Sequence, residues 1–350
     1  MKKASNIIRN IQVFVKKLIG IFANSHSSKK QKSNKGISKE LQSLADTLGT
    51  TTGELFALSK KADSCYKEIR IPKRSNGFRI IHSPNGKLKK VQKKILQSII
   101  SKAETSPYAM AYKKGKNLKD NADPHINHLY LLKMDISDFF SSITFHQVLS
   151  SAFPSTLFPT QCGVILTSLC TKDGVLPQGA PTSPALSNLV MKSFDEHIGF
   201  WCNERGIVYT RYCDDLTFSA DYPLVVLSYK IEDMLNRWGF QVNKKKTKYI
   251  FFSSRQTVTG LCVNKKVSIP SDYKKTLRQD VYYALKFGLE DSMIHGKKND
   301  FFENGKWDTA RYKCHLIGKV NYILQIEPEN KWFQAAKENL SKSFDPPLNS

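Results

Sequence analysis

Three aspartates have the side-chain type and setting of a site for divalent cations. Asp135 ends an almost continuous apolar run, and Asp214 and Asp215 follow 79 and 80 residues later in a short turn between two apolar stretches. Carboxylates at the ends of buried strands repel one another and are costly to remove from water. Mg²⁺ takes oxygen ligands, keeps part of its water shell and completes its coordination with substrate phosphates. The three residues therefore predict phosphoryl transfer with two Mg²⁺ ions, for which Mn²⁺ is the expected substitute.

The two adjacent aspartates would be weak support on their own, since turns favour aspartate. They support a metal site more strongly when they are considered together with Asp135, which lies on a separate apolar stretch, and with the positive charge of the chain. The sequence has 54 Lys and Arg against 30 Asp and Glu, which gives a net charge of +24 and a pI of about 9.6. This surplus predicts a polyanionic partner, with nucleic acid as the first candidate. A merely soluble basic protein is the alternative.

The composition excludes several other classes of protein. With 40% hydrophobic and 11% aromatic residues among 350, the chain can bury a core, so disorder is not expected. No stretch approaches the roughly 18 apolar residues that a membrane span requires. The seven cysteines contain no C-x-x-C pair, which excludes a typical disulfide scaffold or thiolate zinc site and favours a reducing cytoplasm.

The apolar pattern predicts the α+β elements that must position the aspartates. Residues 129–135 are expected to form a buried central strand, and residues 208–212 and 216–220 a hairpin whose tip carries Asp214 and Asp215. A helix at 88–100 is predicted to have one apolar face and one basic face. The other expected elements are helices at 183–206, at 227–238 and from 271 onward, and short strands at 248–252, 258–263 and 267–269.

The N-terminal region has a charge pattern of its own. Residues 1–39 hold ten Lys and Arg and no acidic residue, and apolar residues recur there at roughly helical spacing. A basic amphipathic helix that docks on RNA, another subunit or an anionic surface is therefore expected. Residues 25–36 are predicted to be a linker.

Four sequence strings resemble one family. Tyr212, Cys213, Asp214 and Asp215 form a Y-x-D-D string that resembles motif C of reverse transcriptases. The other three resemblances are MDISDFF at 134–140 to motif A, LPQGAPTSP at 176–184 to motif B, and GFQVNKKKT at 239–247 to motif D. The order and spacing also agree, and the resemblance covers roughly residues 68–270.

Two further strings resemble the retron branch of that family. Residues 121–125 (NADPH) match its N-A-x-x-H element, and residues 258–260 match its V-T-G element. The chain departs from the branch at Cys213, where alanine is frequent, and in its long basic N-terminal extension. The role of residues 1–36 stays open.

The resemblance implies roles for the matching residues at the catalytic centre. Asp135, Asp214 and Asp215 are expected to be catalytic and to bind the metal ions. Phe140 is expected to act as the steric gate that excludes a ribose 2′-hydroxyl, with an ordinary core phenylalanine as the alternative. The remaining residues implied in nucleotide binding are Lys73 and Arg79 on the triphosphate, Gln178 and Gly179 in the pocket, and Lys246 at the position that protonates pyrophosphate.

The retron-specific strings imply RNA recognition. Asn121 and His125 in the first string, and Val258, Thr259 and Gly260 in the second, are expected to take part. His125 and His128 could also suggest a metal pair, but hydrogen bonding or RNA contact is favoured because no cysteine accompanies them.

The implied architecture is an α+β right-hand polymerase with fingers, a palm built on an antiparallel sheet, and a helical thumb. The predicted boundaries are 1–36 for the basic helix and linker, 37–128 for the fingers, 129–270 for the palm and 271–350 for the thumb. Part of the fingers is expected to be inserted near 145–175.

The implied function is that of a retron RNA-directed DNA polymerase. Such an enzyme binds a structured non-coding RNA, primes from the 2′-hydroxyl of an internal guanosine and extends it with dNTPs into branched msDNA. Antiphage defence, a nearby effector protein and a cytoplasmic location are also implied, while the oligomeric state is left open. The alternatives are a reverse transcriptase of another bacterial defence or group II intron type, and a catalytically silent RNA-binding scaffold.

Overall fold

A computed structural model describes residues 31–73 and 77–342, with side chains from Lys39 onward. The basic helix predicted within residues 1–30 lies outside the described residues. The helix α1 begins at Gln31, within the stretch predicted as a linker. Its later turns bury Leu44, Ala45 and Leu48, so an apolar face stabilises the helix.

The described ranges contain both α-helices and β-strands. In chain order the helices are α1 (Gln31–Leu48), α2 (Thr52–Lys60), α3 (Gly86–Ser98), α4 (Leu118–Ala122), α5 (Phe139–Ser142), α6 (Phe145–Ala152), α7 (Thr160–Cys170), α8 (Ser183–Asn203), α9 (Val225–Arg237), α10 (Ser271–Phe287), α11 (Leu289–His295), α12 (Thr309–Ile326) and α13 (Lys331–Lys342). The strands are β1 (Tyr66–Pro72), β2 (Phe78–Pro84), β3 (Tyr130–Asp135), β4 (Val208–Tyr212), β5 (Asp215–Ala220), β6 (Lys248–Phe251), β7 (Thr257–Val258), β8 (Leu261–Cys262), β9 (Phe302–Glu303) and β10 (Lys306–Trp307).

A four-stranded sheet in the order β4-β5-β3-β6 carries the three aspartates. The predicted central strand is confirmed, because β3 lies between β5 and β6 and most of its residues are buried. The predicted hairpin is also confirmed, with β4 and β5 antiparallel and Tyr212 opposite Asp215. The antiparallel hairpin and the surrounding helices agree with the expected α+β class.

Two predicted strands near residue 260 are wrong in detail. The region predicted as a strand at 258–263 forms two very short strands, β7 (Thr257–Val258) and β8 (Leu261–Cys262), because Thr259 and Gly260 turn the chain with φ values of 48° and 84°. Residues 267–269 form no strand beyond an isolated pairing of Ser268 with Cys262. The backbone N–H of Ile269 donates to the Glu327 carboxylate and not to a backbone carbonyl of a neighbouring strand.

The described residues divide into two compact units. The first comprises the chain up to Lys116 together with Leu132–Tyr249, and the second comprises Asn117–Leu131 together with the chain from Ile250 onward. The second unit has its own core, formed by helices α10 to α13, the β7–β8 hairpin and residues of the 117–131 segment. The predicted boundaries of fingers, palm and thumb stay a prediction.

Helix α3 of the first unit has the two faces that its sequence predicts. Leu88, Val91 and Ile95 are buried. Gln92 is buried with them and donates from Nε2 to the Leu169 carbonyl of α7 at 2.8 Å. None of the helices in the described ranges has the length and apolar character needed to cross a membrane.

Candidate active site

Asp135 lies at the C-terminal end of β3 and is only 7% exposed. The backbone N–H of Asn243 donates to the Asp135 carbonyl at 2.7 Å. The Lys246 ammonium donates to the Asp135 carboxylate oxygen Oδ1 at 2.8 Å. The segment that carries Asn243 and Lys246 therefore fixes Asp135 through both its backbone and its side chain.

The β4–β5 turn brings the other two aspartates to the same end of the sheet. The backbone N–H of Ile136, one residue after Asp135, donates to the Asp214 carbonyl at 3.0 Å. Cys213 adopts a φ of 62°, which is uncommon for a residue other than glycine. Such a left-handed conformation costs about 1–3 kcal/mol and persists where surrounding contacts stabilise it.

The carboxylates of this site repel one another in a partly buried setting. Burial raises the pKa of Asp215, and the negative charges of Asp214 and Asp135 raise it further. The positive charges of Lys133 and Lys246 offset part of this increase. A positive partner is therefore favourable here, and Lys246 already supplies one to Asp135.

A fully buried ion pair lies behind the turn. Both Arg211, on β4, and Asp195, on α8, have fully buried side chains. The Arg211 guanidinium donates from Nε and Nη2 to the two Asp195 carboxylate oxygens at 2.8 and 2.6 Å, and the Tyr209 hydroxyl donates to Oδ1 at 2.8 Å. Burial alone would lower the pKa of Arg211, but Asp195 raises it above its ordinary value.

The same guanidinium stabilises the β4–β5 turn directly. Nη1 of Arg211 donates to the Cys213 carbonyl at 3.0 Å, beside the left-handed backbone of that residue. The Tyr112 hydroxyl donates to the Cys213 thiol sulfur at 3.3 Å from a second loop. Arg211 and Tyr112 thus position the turn from its two sides.

Sequence reasoning missed Asp195, Arg211 and Tyr112 as positioning residues. Arg211 had a usable signal, since an arginine inside an apolar strand requires a buried anion. Nothing in the sequence identified which carboxylate would face it. Tyr112 gave no local signal, because its contact depends on backbone pairing of Met110 and Tyr108 with Arg211.

The structure brings Gln178 and Gly179 against the β2 strand. The backbone N–H of His82 donates to the Gln178 carbonyl at 2.7 Å. Gly179 has a φ of 119°, and a Cβ built there would lie 2.5 Å from Ile81 Cγ2 and 2.9 Å from the His82 carbonyl oxygen. Only glycine allows this close approach without displacing the β2 backbone.

Phe140 is partly buried, whereas the two residues predicted to bind phosphate, Lys73 and Arg79, are exposed. Phe140 is half-buried in the short helix α5, with its ring centroid 5.4 Å from that of the buried Phe139. Lys73 and Arg79 lie at the β1–β2 hairpin, and both residues are exposed to solvent. Their side chains are therefore accessible to an anionic ligand.

The predicted RNA-recognition residues lie in the second unit, mostly in its interior. Asn121 is 1% exposed, and His125 and Val258 are fully buried. Burial, with a smaller contribution from His128, lowers the pKa of His125 to about 3, so its imidazole is neutral. The Thr259 hydroxyl donates to the Leu118 carbonyl at 3.2 Å, which joins the turn at Gly260 to helix α4.

The donor set at the strand ends fits a partly hydrated cation. Asp135 with Asp214 or Asp215 could supply carboxylate oxygens, the ligands that Mg²⁺ prefers. Among the residues that the structure describes, no three His, Cys, Asp or Glu side chains are close enough to form a metal site from protein ligands alone. Mg²⁺ does not require such a site, because water and substrate phosphates complete its coordination.

Comparison with known proteins gives consistent matches. Residues 71–278 match the family described as reverse transcriptase (RNA-dependent DNA polymerase). The retron Mx65 reverse transcriptase of Myxococcus xanthus is 30% identical over 313 residues, which cover 82% of this chain and 68% of that protein. The retron Ec86 reverse transcriptase of Escherichia coli is 33% identical over 229 residues, which cover 64% of this chain and 71% of that protein.

Among solved structures, apo telomerase from Candida tropicalis superposes with a TM-score of 0.45 and 12% identity. The superposition covers 84% of this chain and 64% of the telomerase chain.

Replacement of Asp195 tests the buried ion pair. We expect Asp195→Asn to lower the free energy of unfolding by about 3–5 kcal/mol, because the Arg211 guanidinium would stay buried without an anion. Urea unfolding followed by tryptophan fluorescence measures this. Glu196→Gln, which changes the adjacent exposed carboxylate, is the matched control, with an expected change within about 0.5 kcal/mol. Equal stabilities of the two variants would contradict the assignment.

Proposed function

The chain belongs to the reverse transcriptase family, and within it to the retron reverse transcriptases, and from this premise we propose that Asp135, Asp214 and Asp215 form its catalytic centre. The protein is an RNA-directed DNA polymerase. The observation that best supports the site is the hydrogen bond from Ile136 to the Asp214 carbonyl, which joins the two carboxylate-bearing strand ends.

Reverse transcriptases generally use divalent metal ions, and we assign Mg²⁺ to this centre, with two ions held by the three aspartates and Mn²⁺ as a substitute. When bound, the ions lower the pKa of the attacking hydroxyl and stabilise the departing pyrophosphate. The chain itself holds the carboxylates in place: Lys246 and Asn243 fix Asp135, and Arg211 fixes the turn that carries Asp214.

The incoming nucleotide is proposed to lie between the catalytic turn and the β1–β2 hairpin. Arg79 and Lys73, both exposed on that hairpin, would bind the triphosphate by charge-assisted hydrogen bonds. Because Gly179 has no side chain, its backbone can lie close to β2. Gln178, the residue before it, is proposed to line the nucleotide pocket. Lys246 lies on Asp135 and is the proposed proton donor to pyrophosphate.

Phe140 is the proposed gate against ribonucleotides. It lies five residues after Asp135 on α5, and its contact with Phe139 restrains the ring. The buried ring of Phe139 in turn lies 6.0 Å, centroid to centroid, from that of Phe240. A ring supported in this way can exclude a 2′-hydroxyl by steric contact, because it has little freedom to move aside.

The RNA substrate is proposed to be a structured non-coding RNA, primed at the 2′-hydroxyl of an internal guanosine and extended into branched msDNA. Asn121, His125 and Val258 are buried, so their proposed part in recognition is to hold the shape of the surrounding surface. Thr259 and Gly260 shape the adjoining turn. This role follows from packing and requires no direct contact with RNA.

The biological role that fits this family is antiphage defence in the cytoplasm, with the msDNA and an effector protein encoded nearby as partners. The match to several retron reverse transcriptases supports this proposal. The seven free cysteines fit a reducing compartment.

Removal of the turn carboxylates tests the metal assignment. We expect Asp214→Asn combined with Asp215→Asn to abolish DNA synthesis while leaving RNA binding intact, because the ligands are lost and the basic surface is unchanged. Primer extension and RNA binding by fluorescence anisotropy measure the two properties. Asp221→Asn, at the exposed end of the same hairpin, is the control. Primer extension by the double variant at the wild-type rate would contradict the assignment of these carboxylates as metal ligands. Primer extension by the wild-type protein in excess EDTA would contradict the requirement for a divalent ion.

Replacement of Phe140 tests sugar selection. Phe140→Val opens space beside the sugar, so the kcat/KM ratio of a ribonucleotide to its deoxynucleotide should rise about 10- to 100-fold, in line with the 1–3 kcal/mol that small steric differences provide. Single-nucleotide incorporation gives this ratio. Phe200→Val, at an exposed phenylalanine of α8, should leave it unchanged. If Phe140→Val also leaves it unchanged, the gate is another residue, with Phe139 the nearest candidate.

A comparison of two substrates tests the retron-specific strings. Asn121→Ala with His125→Ala should reduce branched-product yield on the native RNA more than extension of an ordinary annealed primer at the same salt concentration. Thr259→Ala should act in the same direction but less strongly, because it removes one hydroxyl. Asp123→Ala, an exposed residue of the same string, is the control. Equal losses on both substrates would show that the strings serve the fold alone.

A further inference from the structure

The outer face of helix α3 is a dense array of positive charge. Its buried residues Leu88, Val91, Gln92 and Ile95 lie on the face that packs into the first unit. The opposite side carries five exposed lysines, which we call the lysine face: Lys87, Lys89, Lys90, Lys93 and Lys94. At 1.5 Å per residue these lysines extend about 10 Å along the helix axis.

This charge is not neutralised by the surrounding chain. Lys87 forms an ion pair with Glu54 at 3.3 Å, and in the described part of the chain the other four lysines form none. From residue 69 to residue 103 the sequence has ten Lys and Arg and no Asp or Glu. Helix α9 is different, because its Arg237 is paired with Asp233 four residues earlier. The lysine face is therefore available to an external polyanion.

The composition of the lysine face indicates which polyanion it fits. Residues 86–98 contain no aromatic side chain, so the helix offers no ring on which an unpaired base could stack. Lysine ammonium groups on flexible stems bind phosphates as point charges and carry no base specificity. Double-stranded RNA presents its phosphates outward and keeps its bases stacked inside. A surface of lysines without aromatic side chains therefore fits an RNA duplex, which offers only its phosphates, better than it fits a single strand, whose bases are free to stack.

We propose that the lysine face of α3 binds the phosphate backbone of a double-stranded stem of the RNA substrate. The proposal rests on the proposed use of a structured RNA, and it assigns a contact separate from the nucleotide and metal residues. The lysine face anchors the RNA without reading its sequence, so it contributes to affinity and not to the chemical step. Because Gln92 and the apolar face fix α3 on α7, the anchor is rigidly connected to the first unit.

The test uses charge-removing and charge-keeping variants of the full chain. The first variant is K89Q/K90Q/K93Q/K94Q, in which glutamine keeps the helix propensity and removes four charges. The second, K89R/K90R/K93R/K94R, keeps the charges. The control is K60Q/K61Q/K265Q/K266Q, which removes four charges from exposed lysines elsewhere. The probes are a blunt 20-base-pair RNA duplex of arbitrary sequence and a 20-nucleotide oligo(U), with Kd measured by anisotropy at several salt concentrations.

We expect the glutamine variant to bind the duplex at least tenfold more weakly than the control variant at 0.1 M salt. The slope of log K against log salt should fall in magnitude by about 2–3, since each lost phosphate contact contributes about 0.9. Oligo(U) binding should change equally in the two glutamine variants. The arginine variant should bind the duplex like wild type. Extension of a short annealed primer at saturating concentration should be unchanged in all variants, which also shows that each one folds.

Three results would overturn the inference. Equal duplex affinities of the α3 glutamine variant and the control would mean that only overall charge matters. A selective loss of oligo(U) binding would mean that the surface holds a single strand, and a duplex affinity of wild type unaffected by salt would exclude phosphate contacts. Failure of the wild type to form branched product on any structured RNA would instead contradict the proposed function, and this result is separate from the duplex measurements.

Discussion

The buried ion pair between Arg211 and Asp195 is the interaction on which the geometry of the β4–β5 turn depends. Removing two charges from water is costly, and the cost is offset here by two short hydrogen bonds between the pair and a third from Tyr209. The remaining nitrogen of the guanidinium, Nη1, donates to the Cys213 carbonyl. The turn can therefore hold a left-handed residue next to Asp214, because its neighbour on β4 is fixed to α8.

Charge balance also distinguishes two other parts of the first unit. Asp135, Asp214 and Asp215 lie at the strand ends, where the positive charges of Lys246 and Lys133 offset part of the repulsion that raises the pKa of Asp215. Cations dominate the α3 surface, where acids are absent from the sequence over 35 residues, 69 to 103. The two features lie in separate parts of the sequence, and acids next to the α3 lysines would neutralise the positive charge of that surface.

The second unit shows how distant segments combine into one core. The N-A-x-x-H string is more than a hundred residues from the V-T-G string, yet the Thr259 hydroxyl reaches the Leu118 carbonyl and the Asn127 N–H reaches the Val263 carbonyl. The imidazole of His125 is neutral and fully buried in this unit. Ala122 of the first string and Val258 of the second thus belong to one core with residues of helices α10 to α13.

The sequence by itself determined the strands that carry the aspartates, the motif B glycine and the family. These follow from local apolar runs, turn chemistry and strings of adjacent residues. Only the tertiary structure decided that Asp195 pairs with Arg211, that Tyr112 contacts Cys213, and that Asn121 and His125 are buried. Such contacts join residues far apart in the chain or on different elements. Whether a polar side chain faces solvent or a buried partner depends on how those elements pack, which no local pattern records.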